Sequence, residues 1–121
     1  MFTLLLVLSC ASFPAVRALA QPSTDMDYGA LVELGLAEFD QGRWPEAREH
    51  FRRAHALEPS ARTLRAIGNA SFELSDYPEA VRSLTLAIAD TRRPLTAEQR
   101  TAAAGLIERS EAFIGRVELT A

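Results

Sequence analysis

Downstream of residue 27 the chain sets short apolar stripes against polar turns, and the stripes carry a helical period. Between Tyr28 and Asp40, Leu31, Leu34 and Ala37, with Leu36 and Phe39, recur at three- and four-residue steps, which predicts an amphipathic helix. Asp25 or Asp27 can accept hydrogen bonds from the free amides of its first turn. Gln41-Gly42 predicts its end, glycine supplying the left-handed conformation that a helix terminus favours. A second helix is expected from Trp44-Pro45, where proline in the first turn loses no needed hydrogen bond, to about Leu57. Its inward stripe is Ala47, Phe51, Ala54 and Leu57, and Glu58-Pro59-Ser60 stops it because proline turns the preceding residue away from helical angles. The plan then recurs: a helix from Arg62 to Leu74, a turn at Ser75-Asp76, a helix from Tyr77 to Ala89, and an exit loop from Asp90 to Pro94. Thr96-Ala97-Glu98-Gln99 has the form of a capping box and opens a fifth helix to about Phe113. That helix carries Ala103, Leu106, Ile107 and Phe113 on one side and Arg100, Glu108, Arg109 and Glu111 on the other. Gly115 is expected to break it, and the alternation in Arg116-Val117-Glu118-Leu119-Thr120 reads as the start of a β-strand.

The two helix pairs are copies of each other. Trp44-Pro45-Glu46-Ala47 returns 33 residues later as Tyr77-Pro78-Glu79-Ala80. The same offset pairs Leu31 with Leu64, Leu34 with Ile67, Gly35 with Gly68, Ala37 with Ala70, Phe39 with Phe72, Phe51 with Leu84 and Ala54 with Ala87. This period and order of residue types, closed in the first copy by Pro59, resemble the tetratricopeptide repeat. The resemblance implies an all-α fold: two helix-turn-helix repeats, at 28–60 and 61–94, and a capping helix at 95–114, forming a short α-solenoid. Such a stack needs its cap, since the last repeat otherwise leaves an apolar face in water. One departure stands in the second copy, whose closing proline would fall at Arg92 and stands instead at Pro94. The family pattern also implies that Gly35 faces Ala47 and Gly68 faces Ala80, with Trp44 and Tyr77 wedged into the turns. Close helix approach would offset the roughly 1 kcal/mol that a glycine costs in a helix interior.

What the resemblance implies for activity is protein binding through the concave face, lined by the first helix of each pair. The positions of this chain that match are Val32, Leu36, Phe39 and Asp40 in the first repeat, and Arg62, Arg65, Asn69, Phe72 and Glu73 in the second. Arg65 and Asn69, one turn apart, resemble the basic-plus-asparagine pairing with which some chaperone-docking members hold a peptide carboxylate. The first repeat departs from that pairing and places Val32 and Leu36 there, so the groove is expected to suit a ligand with an apolar end and an acidic end. Two repeats bury little ligand surface, and micromolar or weaker affinity is expected. The expected partner is a segment of another envelope protein. The alternatives are a structural spacer, a self-associating homo-oligomer, or the front part of a longer protein whose strand-like tail leads into a PEGA-type β domain.

Composition narrows the remaining classes. The 121 residues suffice for one small domain. Every one of the 13 basic residues is Arg, and the 16 acids leave a net charge of −3, so no basic field exists to hold nucleic acid. Residues 2–16 carry no charge, and Ala18-Leu19-Ala20 places small residues where a signal peptidase reads, which predicts a signal peptide at 1–20, a linker at 21–27 and a periplasmic or extracellular mature protein. The apolar run is shorter than the roughly 20 residues a bilayer span needs, and Pro14 interrupts it. A basic residue ahead of the run, usual in such signals, is missing. Cys10 is the sole cysteine; Val7-Leu8-Ser9-Cys10 offers the alternative of a lipoprotein anchored through it. His50 and His55 stand five apart, not at the four-residue spacing that lets two imidazoles share a metal, and read as surface or boundary residues. No nucleophile elbow, phosphate loop or paired-carboxylate cleft can be drawn, so no catalytic, cofactor or metal site is expected. Arg48 and Arg52 read as a solvated outer face.

Overall fold

Five helices follow in order: α1 (Tyr28–Asp40), α2 (Trp44–Leu57), α3 (Ala61–Glu73), α4 (Tyr77–Ala89) and α5 (Ala97–Thr120). The computed structural model describes residues 26–120, and no strand occurs among them. Each helix packs on the next in sequence, and α5 also touches α3, which is the layout of a short helical-repeat solenoid. The expected signal stretch at 1–20, most of the linker and Cys10 lie outside the described residues.

The helix starts are built from the predicted residue types. Asp27 Oδ1 accepts the Ala30 N–H at 2.8 Å, and Ser60 and Asp76 cap α3 and α4 in the same way through the N–H groups of Thr63 and Glu79. Such caps contribute about 1 kcal/mol each. Thr96 and Gln99 exchange two side-chain hydrogen bonds of 3.1 Å, the reciprocal pattern of a capping box. Within the hairpin turns, Gly42 takes a φ of +73°. Ser75, its counterpart one repeat on, holds φ +58° with a side chain attached.

Two clusters make the core. Ala47, Phe51 and Ile67 join α2 to α3, with Phe39 and Ala66 packed against them. Ala61, Leu64, Ala87 and Leu95 join α3, α4 and the loop before α5. The helical glycines do permit close approach, but against other partners than expected. A Cβ on Gly35 would stand 2.5 Å from Phe51 Cε1, and one on Gly68 2.5 Å from Leu84 Cγ. Ala47 and Ala80, fully buried, sit one turn earlier. Because helical side chains lean toward the helix N-terminus, Phe51 and Leu84 reach back over the turn before them and fill the level of the glycines.

Three further expectations are corrected. Leu57 does not join the inward stripe of α2; it is 60% exposed. As the last residue of α2 it lies at the outer edge of the stack, beside Met26, Leu31, Arg53 and Ala56 in a shallow cleft of about 240 Å³. Gly115 does not break α5, and the residues that read as a β-strand are helical to Thr120. The helix is already anchored when it reaches this glycine: Phe113 stacks on Tyr77 at 4.6 Å and Arg116 covers the Phe113 ring. Continuing a formed helix through one glycine costs about 1 kcal/mol, whereas two alternating apolar residues without a neighbouring strand gain nothing as β structure. The expectation of a following β domain loses the pattern on which it rested. Lastly, Arg48 and Arg52 are not simply a solvated face. Arg48 Nη1 donates to Asp76 Oδ2 at 2.8 Å and to Ser71 Oγ at 3.4 Å, and Arg52 lies 3.8 Å from Glu79 Oε1. These pairs tie the first repeat to the start of α4.

Candidate ligand groove between the first helices of the two hairpins

The first helices, α1 and α3, leave a cavity of about 470 Å³ between them. Its apolar wall is Val32 and Leu36 of α1 with Ala66 of α3, and Phe51 of α2 forms part of the lining. Leu36 is 51% exposed. Arg62 and Arg65 come from successive turns of α3, Arg93 from the loop after α4, and Tyr28, Thr63 and Gln99 complete the lining. Among the described residues, three arginines and no carboxylate-bearing residue line this one small volume. Arg65 Nε is buried without a hydrogen-bond partner. A buried unpaired donor of a charged group is costly.

Arg93 is held from two sides. Its Nη2 lies 2.7 Å from Glu58 Oε1 at the end of α2, and its guanidinium stacks 4.8 Å from the Tyr28 ring centre. The loop that presents it is folded by Asp90, whose Oδ1 accepts the Arg92 backbone N–H at 2.8 Å and Arg92 Nε at 3.0 Å. Hydrogen bonds from Arg92 lower the Asp90 pKa to about 2. Arg92 in turn receives the Ala61 N–H on its carbonyl at 2.9 Å, which fastens the loop to the start of α3. After this turn Arg93 takes a φ of +45°, a left-handed conformation that side chains rarely adopt.

The positions named from the sequence divide. Val32, Leu36, Arg62 and Arg65 line the cavity; Asp40, Asn69 and Glu73 do not, so the Arg65–Asn69 pairing is not assembled there. Phe39 packs edge-on against Trp44 at 4.7 Å, beneath the first turn. Phe72 meets Tyr77 edge-on at 5.8 Å and is covered by the Arg109 guanidinium at 4.9 Å. Phe39 thus serves the first turn, and Phe72 the second turn and the contact with α5. Arg93 and Gln99 escape sequence reasoning because the loop after α4 and the start of α5 bring them in, whereas Tyr28 stands one turn before Val32 on the same face of α1 and was open to the helical period. The doubled Arg92-Arg93 before Pro94 was the available signal.

His55 has a structural part larger than its spacing suggests. Its Nδ1 lies 2.7 Å from Thr63 Oγ1 and 3.4 Å from the Ser60 N–H, joining the end of α2 to the cap of α3. Burial, and then the nearby Arg92 charge, hold its pKa below the ordinary value, against a smaller opposing pull from Asp90. Among the described residues no group of His, Cys, Asp and Glu is placed to hold a metal ion, and no helix is long and apolar enough to cross a membrane.

Paired helices, a glycine in the first helix against a large residue in the second, aromatic wedges at the turns and a cleft between first helices define a short solenoid of helical hairpins. The family profile described as tetratricopeptide repeat matches residues 28–61, the first hairpin, and the five-helix fold fits a protein of that family, whose repeats mediate protein–protein interaction. No curated protein and no solved structure matches the chain.

Proposed function

We propose that the protein is a non-enzymatic, exported interaction module whose α1–α3 cavity holds a segment of another envelope protein, with an apolar side chain against Val32 and Leu36 and an acidic group against Arg62 and Arg65. The observation that carries this reading is the lining of the cavity, which among the described residues has three arginines and no acid beside an exposed leucine. Such a volume takes one or two side chains, so most of the affinity comes from a few contacts, and electrostatics governs partner choice more than strength. Export rests on the uncharged stretch at 2–16 and the small residues at 18–20. Mass spectrometry of the cell-derived protein tests it: a chain starting at Gln21 in the envelope fraction is expected, and an intact Met1 in the cytosol contradicts it.

Pull-down from an envelope extract tests binding. The wild type is expected to retain a partner that the Leu36→Glu, Arg65→Glu double variant loses. A partner retained equally by both contradicts the groove. No partner at all, together with dimerisation by light scattering, favours the self-associating alternative.

A further inference from the structure

One cation of the cavity is already neutralised by a carboxylate of the chain itself. Arg62 and Arg65 stand on a helix, but Arg93 is set by a loop that Asp90 folds and by a φ of +45°, and it is the cavity arginine that carries an ion pair with a carboxylate of the chain itself. That carboxylate, Glu58, is not part of the cavity lining. It approaches Arg93 from the end of α2, just where Pro59 turns the chain. Both partners are about half exposed, 46% for Arg93 and 48% for Glu58, so water and competing ions reach the pair. Tyr28 meanwhile covers the guanidinium from a second side, a contact that does not depend on a carboxylate.

We propose that Glu58 is an internal stand-in for the acidic group of the ligand: it holds Arg93 while the groove is empty and yields it when an acidic segment enters. This deepens the groove reading and rests on it. The physical reason is competition for one fork of donors. A guanidinium offers two parallel N–H groups to a carboxylate, and a ligand acid approaching from the cavity side meets Arg62 and Arg65 as well, whereas Glu58 meets Arg93 alone. The exchange replaces a single exposed ion pair by one shared among three cations. The consequence for partner choice is specific. A neutral apolar segment leaves the Glu58–Arg93 pair in place and takes only the leucine wall. An acidic one opens the pair and gains the third arginine, so Glu58 sets the threshold of negative charge at which a ligand is accepted.

The test uses the protein with a capped fluorescent peptide of two leucines followed by three aspartates, and its asparagine counterpart, read by anisotropy at low and at raised salt. Glu58→Gln is expected to tighten the aspartate peptide about two- to five-fold, the range an exposed ion pair spans, and to leave the asparagine peptide unchanged. Arg93→Gln is expected to weaken the aspartate peptide and, combined with Glu58→Gln, to remove the gain. A melting curve for each variant checks that the fold is kept, and Arg93→Lys, which keeps charge without the fork, is expected to fall between Arg93→Gln and the wild type. Glu58→Gln leaving the aspartate peptide unchanged or weaker, tightening both peptides alike, or tightening it even without Arg93, overturns the proposal. Leu36→Glu separates the two levels: if it leaves binding of the peptide intact, the groove reading itself fails, whereas a peptide lost with Leu36→Glu yet indifferent to Glu58→Gln overturns the Glu58 role alone. A wild type that binds neither peptide overturns both.

Discussion

The two hairpins share one plan and differ in how much of it is covered. In the second, α3 lies between α2 and α4 and is touched by α5, and its residues Ala61, Thr63, Leu64, Ile67, Gly68, Ala70 and Ser71 are buried. In the first, α1 packs mainly on α2, and only Leu31 and Gly35 are buried. The same period thus yields a load-carrying helix where neighbours stand on several sides and a half-open one where they do not. The difference shows why Leu36 is left in water at the lip of a cavity: the first helix is apolar beyond what its single neighbour can use.

The largest effects should come from the side chains that fill the glycine levels. Phe51→Ala removes a ring that is 2% exposed, touching α1 and α3 at once, and is expected to cost about 3–5 kcal/mol in urea unfolding, with Leu84→Ala at about 2–5 kcal/mol. A cost below 1 kcal/mol at Phe51 would break the view that the hairpins share one core. Next come the glycines themselves. An added methyl at Gly68 meets Leu84 Cγ at 2.5 Å and the Leu84 backbone N at 3.3 Å, while at Gly35 it meets ring atoms of Phe51. Gly68→Ala is expected to destabilise by about 1–3 kcal/mol, and more than Gly35→Ala, because at Gly68 one of the atoms met is backbone of α4, whereas at Gly35 all three belong to a side chain of α2 beside the half-open α1. Equal or reversed costs would contradict the contrast between the covered and the open helix.

A smaller effect separates the turns. Gly42 and Ser75 occupy equivalent left-handed positions, φ +73° and +58°, but only glycine adopts that region without a steric penalty. Ser75→Gly is expected to stabilise by about 1 kcal/mol and Gly42→Ser to destabilise by a similar amount. Unfolding midpoints check both signs.

The smallest effect is a pH dependence at the joint between the hairpins. His55 has its pKa lowered below the ordinary 6.5, so the unfolded chain takes up a proton before the folded one does. Stability should therefore fall as pH drops below 6.5, and flatten once the folded histidine is itself protonated. The carboxylates with lowered pKa, Glu38 and Asp90, act lower, below their ordinary 4.5 and 3.8, where stability present at higher pH is lost as they protonate. Urea midpoints compared at pH 7 and about pH 5.5 should drop in the wild type and hold in His55→Gln; a drop of equal size in both would remove His55 from the account.

What was legible in the sequence was whatever a single helix decides for itself. The bounds of α1, α2 and α4 follow from Asp27, Pro45, Pro78 and Gly42, and the start of α5 from the Thr96–Gln99 box, because caps and breakers act within one turn. What depended on a second element was not. Arg48 reaching Asp76 across the repeats, Leu57 left outside, and Gly35 meeting Phe51 instead of Ala47 are set by how helices cross and how far each extends. The groove shows the same division: Val32, Leu36, Arg62 and Arg65 were readable by offset, while Arg93 and Tyr28 came together only through the Asp90 loop. Gly115 does not act as a breaker because the helix leading up to it is anchored by Phe113 on Tyr77, a contact no local pattern shows.

Under the proposed function the exposed apolar residue of the open helix serves a ligand and not merely the end of a stack. Site-specific photocrosslinking tests it most directly, with the photoreactive residue placed at Leu36 or at Leu86, which are similarly exposed, 51% and 47%, on α1 and α4. In an envelope extract, position 36 is predicted to give a discrete adduct that Arg65→Glu abolishes, and position 86 none. Adducts of equal yield from both positions, or one at position 36 indifferent to Arg65→Glu, would contradict it.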